Sequence, residues 1–139
     1  MQYSEFLFEL FYNLKALYQK NLKFPNISFQ QMLAILMVDN SGVEMSYFSK
    51  RLGIDNSTAT RLIDGLEKKK LVKRKRDESD NRVIKVFLTS GGWKIYNSIE
   101  IQLEKIGYLI EKQIDESSKG ETIESGVSLN WAIIKQLNK

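Results

Sequence analysis

The stretch that decides the fold runs from Asp55 to Leu88 and reads DNSTATRLIDGLEKKKLVKRKRDESDNRVIKVFL. Apolar residues in its first part recur at helical spacing, and either Asp55 or Asn56 is suited to cap that helix. A dense basic run follows. Beyond a polar turn, apolar residues alternate with other residues, as in a half-buried strand. The stretch therefore predicts a helix followed directly by a basic β-hairpin.

A second short helix is predicted just before this one. Ser46 suits its N-cap, residues 47–52 its body and Gly53 its C-terminal stop. Two short helices joined by residues 53–56 and followed by a hairpin have the order of a winged helix-turn-helix, and such folds bind duplex DNA.

The outward face of the second helix carries the residues expected to read DNA. Small hydroxyl side chains let a helix approach base edges and phosphates, and the planar fork of Arg61 can take guanine O6 and N7 together. The alternative is that this face meets only water and the hydroxyls only cap the helix. The residues predicted to contact DNA here are Ser57, Thr58, Thr60 and Arg61.

Positive charge is concentrated in the middle of the chain. The formal net charge of the whole chain is +4, whereas residues 46–90 hold 12 Lys and Arg against 6 Asp and Glu. A local basic surface favours a polyanionic partner, because each neutralised phosphate releases counterions. The residues predicted to bind phosphates are Lys68, Lys73, Arg74 and Arg76.

The tip of the hairpin is acidic, which is unusual for a DNA-facing surface. We expect Asp80 to orient Arg82 through a charge-assisted hydrogen bond, so that a held guanidinium can enter a narrow minor groove. The alternative is a surface ion pair that contributes little. Asn81, at the same tip, is also included in the predicted DNA-binding set.

Helices are predicted on both sides of this region. Residues 3–23 are apolar around so much of the helix that it needs covering on more than one side, which favours a homodimer over cover by its own chain. Ser28 and Gln31 have the spacing of a capping box. Thr89 is expected to cap a helix over 90–116, and a last helix is expected over 121–137.

The absence of Cys and His excludes several classes of enzyme. Ser-His-Asp and Cys-His nucleophilic sites cannot be built, nor can His- or Cys-ligated zinc sites. No Gly-rich phosphate loop or metal-spaced acidic cluster is present, so we expect no catalysis, no cofactor and no metal. Neither a secretory signal nor a membrane-spanning run is found, and a cytoplasmic location is expected.

Residues 46–92 resemble the MarR family of bacterial transcriptional regulators. The resemblance is carried by the segments STATRLID (57–64) and LEKKKLV (66–72), by Asp77-x-x-Asp80-x-Arg82 and by Val86-x-Leu88-Thr89-x-x-Gly92. It implies a dimer built from the first and last helices on a pseudo-palindromic operator, the second short helix in the major groove and Arg82 in the minor groove. Many members are repressors that small aromatic or phenolic ligands release.

Two positions depart from the family pattern. Lys70 stands where glycine often closes the helix with a positive φ, which predicts a strained or altered turn. Gly65 stands where a basic residue is common, which weakens the helix and removes one phosphate contact. Lack of Cys and of His argues against the thiol-oxidation and zinc-sensing branches. An aromatic ligand would have four candidate lining residues: Tyr12, Tyr18, Trp93 and Tyr96. The alternative is that these aromatic residues, which lie at helical spacing, only pack in the core.

The prediction is thus a single domain over 1–139, mainly α with a small β-hairpin wing. Residues 28–92 form the winged helix-turn-helix, and residues 1–24 and 93–139 form helices for dimerisation. The expected function is sequence-specific, repressive binding of duplex DNA by a homodimer. Whether a small aromatic effector releases the DNA is left open by the sequence. The alternative is a winged-helix protein-interaction module without specific DNA binding.

Overall fold

The computed structural model describes all residues from Met1 to Lys139. Its α-helices are α1 (Tyr3–Asn21), α2 (Phe29–Leu36), α3 (Met45–Leu52), α4 (Asn56–Lys68), α5 (Ser90–Glu111) and α6 (Lys119–Leu137). The strands are β1 (Val43–Glu44), β2 (Val72–Arg76) and β3 (Ile84–Leu88), and a short 3-10 helix covers Glu116–Ser118. The mainly α fold with a hairpin wing, predicted from the sequence, is confirmed. None of the helices combines the length and the apolar character needed to cross a membrane.

The chain divides into two compact units, Met1–Leu103 and Glu104–Lys139. The first contains α1 to α4, the sheet and most of α5, and the second contains the end of α5, the 3-10 helix and α6. That the whole chain acts as one domain stays a prediction.

The sheet of the first unit has three antiparallel strands in the order β1-β3-β2. The strand β1 was not expected, because two residues are too few to produce a readable alternation. Val43 lies opposite Val86 and Glu44 opposite Lys85. This pairing also moves the start of α3: Glu44, not Ser46, is the N-cap residue, since the helix begins where the strand ends.

The core of the first unit lies between α2, α3, α4 and the sheet. Its largest fully buried side chains are Phe48, Ile35, Ile63, Leu66, Val86 and Ile99. Burying a side chain of this size contributes about 1.5–3 kcal/mol. The predicted apolar face of α4 supplies Ala59, Ile63 and Leu66 to this core, so the opposite face of the same helix is left outward.

Two sharp turns fix α4 between its neighbours. Gly53 ends α3 in the left-handed conformation, with φ 65°, as predicted. Lys70 takes a φ of 61°, and Leu71 N–H donates to Leu66 O over 3.0 Å, which is the closing bond of a Schellman motif. The chain thus keeps at Lys70 the turn that glycine would make, with a side chain that disfavours it.

Several element ends differ from those predicted. Strand β3 begins at Ile84, not at Arg82, because the hairpin is closed by Asp77 N–H donating to Val83 O over 2.8 Å. Helix α5 ends at Glu111, not near Glu116. Helix α6 begins at Lys119, inside the break expected over 115–120. Thr89 does cap α5, since its Oγ1 accepts from Gly92 N–H over 3.1 Å.

Candidate nucleic-acid interface

The N-terminus of α4 is held by Asp55. Its carboxylate accepts Thr58 N–H over 2.7 Å and the Ser57 hydroxyl over 2.8 Å. These hydrogen bonds lower the pKa of Asp55 to about 2. The bond from the Thr58 backbone contributes most, and the hydroxyl groups of Thr58 and Ser57 follow. The carboxylate is therefore charged at neutral pH, and it fixes the first turn of the helix that is expected to face DNA.

The outward side chains of α4 keep most of their hydrogen-bonding capacity. Ser57, Thr60 and Arg61 are exposed, and Thr58 is half-buried. The Thr60 hydroxyl donates to Asn56 O over 2.9 Å, so its oxygen remains available as an acceptor. Arg61 makes one long contact, from Nη2 to Thr58 Oγ1 at 3.5 Å. The guanidinium thus has donors left for a base edge.

The hairpin presents exposed cations next to α4. Lys68, at the end of the helix, and Lys73, on β2, are exposed and have no ion-pair partner. Arg76 is exposed too, and its Nη1 donates to Asn81 O over 2.7 Å across the hairpin. Asn81 itself is exposed at the tip.

At the tip, Asp80 holds Arg82 in the way the sequence predicts. The Asp80 carboxylate accepts the Arg82 backbone N–H over 3.1 Å, Nε over 3.2 Å and Nη2 over 3.4 Å. The Arg82 side chain remains 91% exposed. The bonds from Arg82 lower the pKa of Asp80, and the guanidinium contributes more than the backbone N–H. The carboxylate therefore orients the arginine without covering it.

Arg74 differs from the other basic residues of the hairpin. Its Nη2 pairs with the Asp64 carboxylate of α4, and its Nε lies 3.9 Å from Glu67 Oε2. The side chain is only 25% exposed. A phosphate would have to compete with these two carboxylates, so the phosphate contact of Arg74 stays a prediction.

Lys69 has a structural contact that the sequence did not indicate. Its Nζ donates to Asn26 O and, over 2.9 Å, to Gln31 Oε1. These partners precede Lys69 by 43 and 38 residues. The only signal within the sequence is the capping-box Gln31, whose side chain also accepts Ser28 N–H over 3.1 Å.

Comparison with known proteins agrees with this geometry. The MarR family model matches residues 27–84, which include α2, the helix-turn-helix and most of the hairpin. The transcriptional regulator YybA of Bacillus subtilis is 23% identical over 86% of this chain and 85% of its own length. YfiV of the same organism is 33% identical, but the match covers 53% of this chain and 47% of that protein.

Solved structures match over nearly the whole chain. FabT of Streptococcus pneumoniae, crystallised in complex with DNA, has a TM-score of 0.77 at 25% identity and covers 96% of both chains. A crystal structure of MarR has a TM-score of 0.78 at 16% identity, over 98% of this chain and 93% of that one.

The family is one of transcriptional regulators and not of enzymes. The family model matches the segment that forms the helix-turn-helix and wing, and the fold of the flanking helices is shared with the solved relatives. Over residues 27–84 the chain therefore resembles the MarR family of winged helix-turn-helix transcriptional regulators, and it shares the fold of the solved structures.

Proposed function

We propose that two copies of this chain bind duplex DNA, with α4 of each copy in the major groove and the wing tip in the adjacent minor groove. The proposal rests on two exposed arginines. Arg61 on α4 is uncovered, and Arg82 is oriented by Asp80 and remains 91% exposed. Arg61 reads a guanine edge. Arg82 reads the width and potential of the minor groove.

The remaining DNA contacts follow from the exposed surface. Ser57, Thr58 and Thr60 bring α4 close to the base edges and the backbone. Lys68, Lys73 and Arg76, with Asn81 at the tip, bind phosphates and set the register of the protein on the duplex. That FabT and MepR from S. aureus were both crystallised with DNA supports the proposal that this chain binds DNA.

Homodimerisation is proposed from apolar surface that each unit leaves exposed. Helix α1 exposes a cluster of large apolar side chains in the first unit: Tyr3, Phe6, Phe8, Phe11, Tyr12 and Leu14. Helix α6 exposes a second one in the other unit: Ile123, Val127, Trp131, Ile133 and Leu137. Surfaces of this kind mark interaction sites, and a second copy of the chain covers both. A dimer with two-fold symmetry binds a pseudo-palindromic operator.

We propose that such a dimer acts in the cytoplasm and represses transcription by occupying a promoter. We also propose that a small aromatic ligand releases the DNA. Trp93 and Tyr96 of α5, with ring centroids 5.1 Å apart, offer an aromatic surface in the first unit. Tyr12 and Tyr18 of α1 are the other two candidate residues for this ligand. The neighbour PcaV from Streptomyces coelicolor was crystallised with its natural ligand. A phenolic ligand that raised the dissociation constant for DNA would support this part, and insensitivity to a panel of such ligands would contradict it.

The experiment that tests DNA binding is a fluorescence-anisotropy titration of the duplex upstream of the chain's own gene, repeated at several salt concentrations. We expect a sequence-preferring complex whose log K falls linearly with log salt. Lys73→Ala is expected to reduce the slope by about one contact. Lys20→Ala, an exposed lysine of α1 used as the control, is expected to leave it unchanged.

The base-reading role of Arg61 is tested by selecting bound sequences from random DNA. Arg61→Ala is expected to relax the preference at one base step, at a cost of about 1–3 kcal/mol. Unchanged preference would remove Arg61 from the reading role. A wild-type protein that showed no salt-sensitive, sequence-preferring complex would instead be a protein-interaction module.

A further inference from the structure

Arg74 faces the recognition helix, unlike the lysines beside it. On a strand, successive side chains point to opposite faces, and Lys73 and Lys75 on either side of Arg74 are exposed. Arg74 is instead turned towards α4, where its Nη2 pairs with Asp64 and its Nε lies within ion-pair distance of Glu67. Its Nε is buried and makes no hydrogen bond, so no donor at that atom is left open to a solvent-side partner.

The two carboxylates lie three residues apart on α4, and both are nearly half exposed. In a helix that lies against DNA, an unpaired carboxylate repels the phosphates. A guanidinium held between them balances part of their charge. It also ties β2 to α4, and with it the wing to the recognition helix.

We propose that Arg74 is a positioning residue, which fixes the wing against the recognition helix through Asp64 and Glu67. It also screens these carboxylates from the DNA. It does not bind phosphate. The inference rests on the DNA binding proposed above. It replaces the phosphate contact that the basic composition of the hairpin suggests for this residue.

The test is a mutant cycle measured as DNA affinity against salt concentration. Arg74→Met, which keeps much of the length of the side chain and removes its charge, is made in the wild-type chain and in a D64N/E67Q background. Lys73→Met, an exposed neighbour on the same strand, is the matched control in both backgrounds.

We expect Arg74→Met to weaken binding about ten-fold in the wild-type chain, a typical coupling for residues of one ion-pair network. The slope of log K against log salt is expected to stay the same. In the D64N/E67Q background, amides replace both carboxylates and Arg74 has no ion-pair partner. There, the same substitution is expected to weaken DNA binding by less than about three-fold. Lys73→Met is expected to reduce the slope by about one contact in both backgrounds.

The proposal is overturned if Arg74→Met reduces the slope as Lys73→Met does and costs the same in both backgrounds, since this is the behaviour of a phosphate contact. It is also overturned if folded Arg74→Met binds with wild-type affinity, because the pair would then serve stability alone. Circular dichroism verifies folding, and Arg74→Gln, which is also uncharged, replaces Arg74→Met if the latter does not fold. If the wild-type chain itself does not bind DNA, the proposed function is refuted. This result differs from the two outcomes for Arg74→Met given above.

Discussion

At the scale of single residues, the best-defined contacts are those of short side chains with the backbone nearby. Asp55, one of the two caps that residue type and position predict, caps α4 through Thr58 N–H. Asp80 holds Arg82 two residues away for the same reason, since both partners lie in one tight turn. Contacts of this kind are local and can be read from a few letters.

The charged state of Asp55 makes part of the stability dependent on pH. Folding lowers its pKa from 3.8 to about 2. The stabilisation is therefore complete above pH 3.8 and is lost as the pH falls towards 2. Asn at this position caps almost as well and does not titrate.

We expect the free energy of unfolding of the wild-type chain to fall relative to that of Asp55→Asn as the pH is lowered through this range. Urea unfolding at a series of pH values measures the difference. Asp55→Ala, which has no capping group, is expected to be less stable than both at neutral pH. Parallel curves for the wild-type chain and Asp55→Asn would show that the cap does not depend on the charge.

At the scale of elements, the wing and α5 meet in a close contact at Thr89 and Gly92. Thr89 joins both sides of it, because its hydroxyl donates to Lys70 O over 2.7 Å and accepts Gly92 N–H. A Cβ at Gly92 would lie 2.1 Å from Leu71 O, whereas one at Gly91 would meet nothing closer than 3.7 Å. The first helical turn of α5 can therefore approach β2 only with glycine at position 92.

The two glycines provide a matched pair of substitutions. Gly92→Ala is expected to lower the free energy of unfolding by about 1–3 kcal/mol, the usual cost of overpacking a rigid contact. Gly91→Ala is expected to be neutral or to stabilise by up to about 1 kcal/mol, because alanine is the better helix former. Chemical denaturation measures both. Equal effects would contradict the close approach at Gly92.

These elements also show where sequence reasoning stops. The hydrophobic period of α4 and the alternation in β3 were sufficient to predict both elements, because each pattern is complete within its own segment. Strand β1 was missed because its existence depends on pairing with β3, more than 40 residues later. The contacts of Arg74 with Asp64 and of Lys69 with Gln31 could not be predicted, because a run of cations has the same composition whether its members face DNA or other parts of the chain.

At the scale of the whole molecule, the proposed dimer would cover the apolar side chains that α1 and α6 each leave exposed. Trp131 is 59% exposed on α6. A tryptophan that becomes buried on dimerisation is often among the residues that contribute most to the interface. Ser125 lies about 120° around the same helix from Trp131, and it is exposed as well. A negative charge at each position therefore separates an effect on the interface from an effect on the helix.

We expect Trp131→Glu to weaken dimerisation by about ten-fold or more. Ser125→Glu is expected to leave dimerisation unchanged. Analytical ultracentrifugation over a range of concentrations gives both dissociation constants. A wild-type chain that sediments as a monomer throughout would contradict the proposed role of these helices.

The most direct test of the account is the mass of the complex between the purified chain and its own upstream duplex at low salt. Native mass spectrometry is expected to give the mass of one duplex plus two chains of 16.2 kDa each. Free duplex beside single chains, with no species containing both, would contradict the account.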